Sequence, residues 1–436
     1  MTFNPAQLER RLTEYRNAPL AALLPAFYVL PRYDGRSIAN LPATIGALLG
    51  VEVGWVEPRL DDELWVDLAD GVERVLFLLV DGIGWRRLWE MVAQRDRAFP
   101  QLLEEWGAHV APITSVSPAT TSVATTTVWG NGAAPAEHGM LGFSFLLMEQ
   151  AAVCNLLFWK PLGRESGGHG ELETWGLKPE TFLPTPSIAQ VLAQGGVETR
   201  ALMPAQIANS PLSRMQMRGA KVEGYGNATD LWLMMHRWLE ETAGQRGYCY
   251  AYYPDFDVFS HRDGPNHRSW EALWHAFRFH LSSFLDTLPT EARRKTILLI
   301  SADHGHVYSP LARRVLPRSH PELTRHFMLM PGGEPRHSYL YVRPDHHDAI
   351  RNYHQQHLAE DFHLLDAAEA LHAGLYGPPD RLHPDAERRL GDFAMLSKGG
   401  AMFWILSPDK MYFGMHGSLE PEEMVVPFIA LRLDKT

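Results

Sequence analysis

Runs of consecutive apolar residues, each cut off by an acidic residue, glycine or proline, dominate the pattern of this chain. VLFLLV (Val75–Val80) is apolar throughout and stops at Asp81-Gly82, which predicts a strand buried on both faces. A second strand is expected over Val110–Val116, ending at Ser117-Pro118 and leading into TTSVATTTVW, which reads as the start of a helix. Further strands at Val197–Met203, Tyr248–Pro254 and Thr296–Ala302 alternate with helices at Ser187–Leu192, Asp230–Thr242 and Trp270–Leu288. An amphipathic helix is expected over about Gln7–Arg16. Leu141–Trp159 reads as a hairpin with its turn near Glu149-Gln150, and the glycine-rich Gly163–Gly170 as loop. Strands alternating with helices imply an α/β fold, a three-layer αβα sandwich around a mostly parallel central sheet, in one domain over residues 1–436. The pattern loosens over Val307–Gly400, which is expected to form an inserted cap-like lobe with its own strand, YLYVRP, before MFWIL and VVPFIAL resume the apolar runs.

Composition narrows the classes. At 436 residues and 45% hydrophobic content, the chain carries enough apolar material for a large core. A net charge of −11 argues against a protein that grips nucleic acid through its whole surface, though not against a local phosphate pocket. The two cysteines, Cys154 and Cys249, are too few and too far apart for a disulfide scaffold or a thiolate zinc site. No run approaches the ~20 apolar residues that span a bilayer. MTFNPAQLERRLTEYRN lacks the apolar core of a secretory signal. A cytoplasmic location without membrane partners is therefore expected; the oligomeric state is not legible.

In an open parallel sheet, chemistry collects at the carboxyl ends of the strands. Here Asp81 follows the first buried strand, Thr120-Thr121 the second, Asp257 and His261 the YCYAYYP strand, and Asp303-His304 the TILLISA strand, with His416 in the C-terminal segment. Each has an ordinary reading: Asp81 as a turn residue, the threonines as helix caps, His261 and His416 as loop histidines. The same spacings recur off strand ends, at Asp345-His346 and at Asp263/His267. Position after buried strands, and order along the chain, set the first group apart.

The segments LFLLVDGIG, SVSPATTSVATTTVWGNGAAPAEHGMLGF, YYPDFDVFSH, ISADHGH and FGMHGSLEPEEMVVPFIAL, in that order across Leu76–Leu431, resemble the type I phosphodiesterase/nucleotide pyrophosphatase branch of the alkaline phosphatase superfamily. The resemblance implies two divalent metal ions. One is held by Asp81, Asp303 and His304 and also touches the nucleophile; the other is held by Asp257, His261 and His416. It places the nucleophile at Thr121 when matched from Pro118, or at Ser122 when counted back from Gly132, with Thr120 and Ser122 as substrate-binding neighbours. Mixed carboxylate and imidazole ligands suit zinc and tolerate manganese. Metal coordination would activate a threonine hydroxyl, and the start of its helix offers an anion cradle. The implied activity is hydrolysis of a small phosphorylated substrate, a nucleotide among them, by a phosphodiesterase-like enzyme with a phosphothreonine intermediate. The alternatives are a phosphomonoesterase or phosphonate-acting hydrolase on the same scaffold, and a non-catalytic metal-binding regulatory module. One departure concerns substrate: the family carries a phosphate-contacting Asn three residues after the nucleophile, where this chain has Ala124.

Other residues have plainer expected roles. His346, His347, His354 and His357 read as a solvated histidine-rich helix, His138 as structural, and His306 as an outer partner of the metal ligands. Arg336 is either a surface ion-pair residue or a contact for a substrate anion.

Overall fold

The computed structural model describes residues 4–163, 170–406 and 410–434, so the expected loop at Gly163–Gly170 falls, apart from its ends, outside the described residues. Seven strands form the central sheet: β1 (Arg74–Val80), β2 (His109–Thr114), β3 (Glu198–Pro204), β4 (Lys221–Tyr225), β5 (Gly247–Tyr253), β6 (Thr296–Ser301) and β7 (Val425–Arg432). Their spatial order is β2-β7-β6-β1-β5-β3-β4. Six run the same way, and β7 runs against both of its neighbours. Every residue of β1, β5 and β6 is buried, as continuous apolar runs require when helices cover both faces. The sheet is thus mostly parallel, within an αβα arrangement.

Register explains why the strand-end residues meet. Val80 pairs with Tyr253 and Leu79 with Ser301, so β1, β5 and β6 end nearly flush. Asp81, the helix Asp255–Asp263 and the Asp303-His304 turn therefore leave the sheet at one level. The antiparallel β7 begins opposite the end of β2, with Val425 beside Thr114, so the segment before it, including His416, lies at the same edge.

Element boundaries moved by a few residues. The first helix spans Pro5–Thr13 because the Asn4 side chain caps it by accepting from the Gln7 amide. β2 stops at Thr114, and the next hydroxyl, Ser115 Oγ, donates to the Asp303 carbonyl.

The larger departure from the sequence reading is a second seven-stranded sheet, antiparallel throughout. Its order is 362–366, 393–397, 337–340, 332–334, 144–147, 152–155, 160–161. The 141–159 hairpin, whose turn does lie at residues 148–150, and strands from the 307–400 segment are thereby parts of one sheet, joined where Gly333 pairs with Ser144. The strand read as YLYVRP is displaced to His337–Leu340.

Arg336, at the turn of this sheet, is neither a surface residue nor open to a substrate. It is fully buried, with Nε and Nη2 each 2.9 Å from a Glu423 carboxylate oxygen and Nη1 donating to the carbonyls of Gly399 and Ala401. Glu423 also accepts from the Ser418 amide at 3.0 Å. The pair therefore fixes the segment that carries His416 to the second sheet. Arg336→Ala would leave Glu423 buried and unpaired, an expected loss of about 3–5 kcal/mol in unfolding free energy by denaturant titration. A loss below about 1 kcal/mol would mean that the pair is solvated.

Candidate active site

Asp81 leaves β1 into a turn where Gly82 adopts φ +79; a Cβ there would lie 2.9 Å from the Asp257 amide and 2.8 Å from the His306 ring, so only glycine allows this approach. Asp81, Asp303 and His304 form one buried cluster. His304 Nε2 lies 3.4 Å from Asp81 Oδ1 and 3.5 Å from Asp303 Oδ2. Asp303 Oδ1 accepts from the amides of Gly82 and His304, and Tyr252 donates its hydroxyl proton to Asp81 Oδ2. Thr121 opens the helix Thr121–Trp129 and sets its Oγ1 3.1 Å from His304 Nε2.

A second cluster joins Asp257, His261, His306 and His416. Asp257 and His261 sit one turn apart on the helix Asp255–Asp263, facing the same way. Asp257 Oδ1 lies 3.2 Å from His261 Nε2, 3.1 Å from His306 Nε2 and 3.7 Å from His416 Nε2. The two clusters adjoin, with the rings of His304 and His416 stacked at 3.6 Å.

The protonation pattern of these histidines is fixed from behind. In each of the four, Nδ1 faces a backbone carbonyl: Gly305 for His304, Gly414 for His261, Gly82 for His306 and Ala119 for His416. A carbonyl only accepts, so Nδ1 carries a proton in each ring, and Nε2 of a neutral ring turns a lone pair into the site. Burial lowers His261, but Asp257 outweighs it and raises that ring towards its charged form, a proton that a bound metal would replace. His261 Nε2 and His416 Nε2 lie 3.3 Å apart. Asp81 Oδ1, Asp257 Oδ1, Asp303 Oδ2 and His306 Nε2 are buried with no hydrogen-bond partner among the described residues. Buried acceptors crowded this way repel one another unless a cation lies between them. Two nitrogens bound tetrahedrally to zinc, about 2.0–2.1 Å from it, would lie about 3.3 Å apart. Both clusters fit divalent metals.

Electrostatics carries the same mark. Burial, then Asp303 and Asp257, push the Asp81 carboxyl well above its ordinary range. Burial opposes ionisation of Asp257 too, but His261 and His306 outweigh it and hold that carboxyl well below. Burial lowers His306 to about 4 and depresses His416 strongly, favouring the neutral, ligating form of both.

The structure brings Asp81, Thr121, Asp257, His261, Asp303, His304 and His416 together. Ser122 Oγ, by contrast with Thr121 Oγ1, makes no hydrogen bond to either cluster: it is buried without a hydrogen-bond partner among the described residues. Thr120 is the N-cap residue by position, yet its side chain makes no capping hydrogen bond; it faces Glu334, a carboxyl that burial raises to about 8. The expected capping role of that hydroxyl is therefore wrong.

Two contributors exceed the sequence reading. His306 belongs to the second cluster rather than standing behind it. The readable signal was His-Gly-His: Gly305 has no room for a Cβ, which would meet the Glu422 carbonyl at 2.1 Å, so the chain turns tightly enough for both histidines to face inward. Tyr252 lay unremarked in an apolar strand. Tyr252→Phe removes the hydrogen bond to Asp81, and metal affinity is expected to fall about 10–100-fold in a competitive chelator titration, with unchanged affinity counting against that role.

The remaining histidines are held elsewhere. His138 is buried against Thr127 Oγ1 at 2.9 Å, and burial lowers it to about 3, which suits a neutral structural role. In the helix His347–His357, His347 pairs with Asp392 and His354 with the Phe362 carbonyl. Ala124 is fully buried, and Asn131 donates to the Gly54 carbonyl, so neither supplies the phosphate contact absent at position 124.

Among solved structures, the murine ectonucleotide pyrophosphatase/phosphodiesterase 5, in an inactive threonine-to-alanine form with AMP, is similar at TM-score 0.61 and 15% identity, covering 82% of this chain and 88% of that one. Its human counterpart gives the same score and identity over 82% and 87%. Phosphonoacetate hydrolase from Sinorhizobium meliloti, in complex with phosphonoformate, is similar at 0.58 and 16% identity over 81% and 89%. These likenesses establish the fold. No curated protein sequence matches. No helix among the described residues is long and apolar enough to cross a membrane. The sequence model of type I phosphodiesterase/nucleotide pyrophosphatase matches residues 75–419, most of the chain, and the chain therefore belongs to that family.

Proposed function

We propose that this protein is a metal-dependent hydrolase of phosphate esters that uses Thr121 as its nucleophile. The observation that carries the reading is the convergence of seven buried or half-buried acidic and imidazole ligands, four of them histidines with Nε2 turned inward, beside a threonine hydroxyl. Asp81, Asp303 and His304 would hold one divalent cation, and Asp257, His261, His306 and His416 a second. Zinc fits these ligands best, and manganese is tolerated. When bound, such a pair supplies positive charge that lowers the pKa of a nearby hydroxyl and stabilises both attacking and leaving oxygens of an in-line displacement.

The chain's own residues do the rest. Thr121 Oγ1 loses its proton and bonds to phosphorus as the P–O bond to the leaving alkoxide breaks, giving a phosphothreonine while the alkoxide takes up a proton and departs as the alcohol. In a second displacement water bonds to phosphorus as the bond to Thr121 Oγ1 breaks, which restores the threonine and releases phosphate from a monoester or a phosphate monoester from a diester. The first-turn N–H groups of the helix Thr121–Trp129 offer a positive dipole end to the anion, without a side-chain cap from Thr120 competing for them. Tyr252 holds Asp81 in place, and the backbone carbonyls behind the four histidines fix their tautomers. The hydrogen bond to His304 favours Thr121 over Ser122, whose hydroxyl has no hydrogen-bond partner among the described residues, and over Thr120, which is hydrogen-bonded to Glu334. The structural neighbours bind AMP and phosphonates, which supports a small phosphorylated substrate. Assaying the zinc- and manganese-loaded protein on bis-nitrophenyl phosphate and nitrophenyl phosphate tests the reading and separates diester from monoester preference. No turnover of either with both metals bound would contradict it.

A further inference from the structure

A cavity of about 180 Å³ opens beside Thr121, between the end of the hairpin and the segment after β3. Its walls include Leu157, Phe158, Met203, Ile207, Leu212 and Met217, and no described lining residue carries a charge. Apart from the Thr121 hydroxyl, most of the polar groups in the lining are already engaged with the protein. Tyr252 donates to Asp81, Ser213 Oγ to the Ile207 carbonyl, Thr125 Oγ1 to the Thr121 carbonyl, and the Gln216 amide to Thr125 and Thr126. What remains for a ligand is a mostly apolar wall to which Phe158, Tyr250 and Tyr252 contribute.

We infer that this cavity selects phosphodiesters whose retained group is a single uncharged, ring-sized apolar substituent. The inference rests on the hydrolase reading above and specifies its substrate. In-line attack puts the leaving oxygen on the far side of phosphorus from Thr121 Oγ1. A pocket walled by Thr121 itself therefore receives the group that stays on phosphorus. An apolar cavity of about 150 Å³ holds one benzene ring. A space of about 180 Å³ accepts a substituent of that size, whereas a nucleoside would leave its sugar or base outside. A carboxylate-bearing group would be desolvated against apolar walls with no cationic partner among the described lining residues. The absence of a polar group at Ala124 agrees with a site that does not read a nucleotide through that position.

The test holds the leaving group constant. Methyl, phenyl, carboxymethyl and thymidine-5′ diesters of 4-nitrophenyl phosphate are compared by kcat/KM with the metal-loaded protein. The phenyl ester is expected to exceed each of the others by about tenfold or more, the scale of burying one apolar ring. Leu212→Trp, which fills the cavity, is expected to bring the phenyl-to-methyl ratio close to one; Ile207→Trp, at a more exposed wall position, does the same if the first variant folds poorly. A thymidine ester matching or exceeding the phenyl ester, or a ratio that the folded tryptophan variants leave unchanged, overturns this inference while the hydrolase reading stands. If none of the four diesters is hydrolysed, this inference falls, and the hydrolase reading falls with it only if nitrophenyl phosphate is not hydrolysed either.

Discussion

Thr121→Ala is expected to lower kcat by on the order of 10³-fold or more on any ester the protein hydrolyses, with metal content nearly unchanged. The magnitude follows from losing the attacking oxygen itself rather than an orienting contact. Metal content is spared because the two ligand clusters are complete without Thr121. Thr121→Ser keeps an oxygen at the same place and retains part of the activity. Thr120→Ala is milder, because that hydroxyl faces Glu334 and not the cleft. Ser122→Ala should be nearly neutral in kcat. Normal turnover by Thr121→Ala would mean that a water attacks directly, even with both clusters occupied.

Metal removal is the second large effect. Exhaustive chelation is expected to abolish turnover and to lower the thermal midpoint, because ligands that bind only the folded state stabilise it. Re-addition of zinc or manganese restores both. Asp257→Ala takes away the one carboxylate that lies against His261, His306 and His416, so bound metal should fall from about two to about one per chain by elemental analysis. Full metal content in Asp257→Ala, or a chelated protein that still turns over, contradicts the assignment of these residues.

The parts of the site legible in the sequence were those attached to buried parallel strands. VLFLLV and TILLIS announce themselves as largely apolar runs because both faces are covered, and the first charged residues after them, Asp81 and Asp303, emerge at the sheet edge. His416 was reachable only through resemblance: it precedes an antiparallel strand, and nothing local distinguishes it from a loop histidine. The second sheet was illegible for a different reason. Its strands are two to five residues long and come from segments nearly two hundred residues apart, and Gly333 and Ser144 join them through register that no local period encodes. Arg336 shows the limit of charge as a guide. A guanidinium in GGEPRHSYLYV reads as exposed until Glu423, far along the chain, is placed against it. Ser122 and Thr121 are likewise adjacent hydroxyls in sequence, and only the phase of the helix separates the buried one from the one beside His304.

The central claim is that the phosphoryl group passes through Thr121. The most direct measurement is the configuration at phosphorus after hydrolysis of a chirally labelled ester by the metal-loaded protein. Two successive in-line displacements, to Thr121 and then to water, predict overall retention. Inversion would show a single displacement by water and would contradict the account.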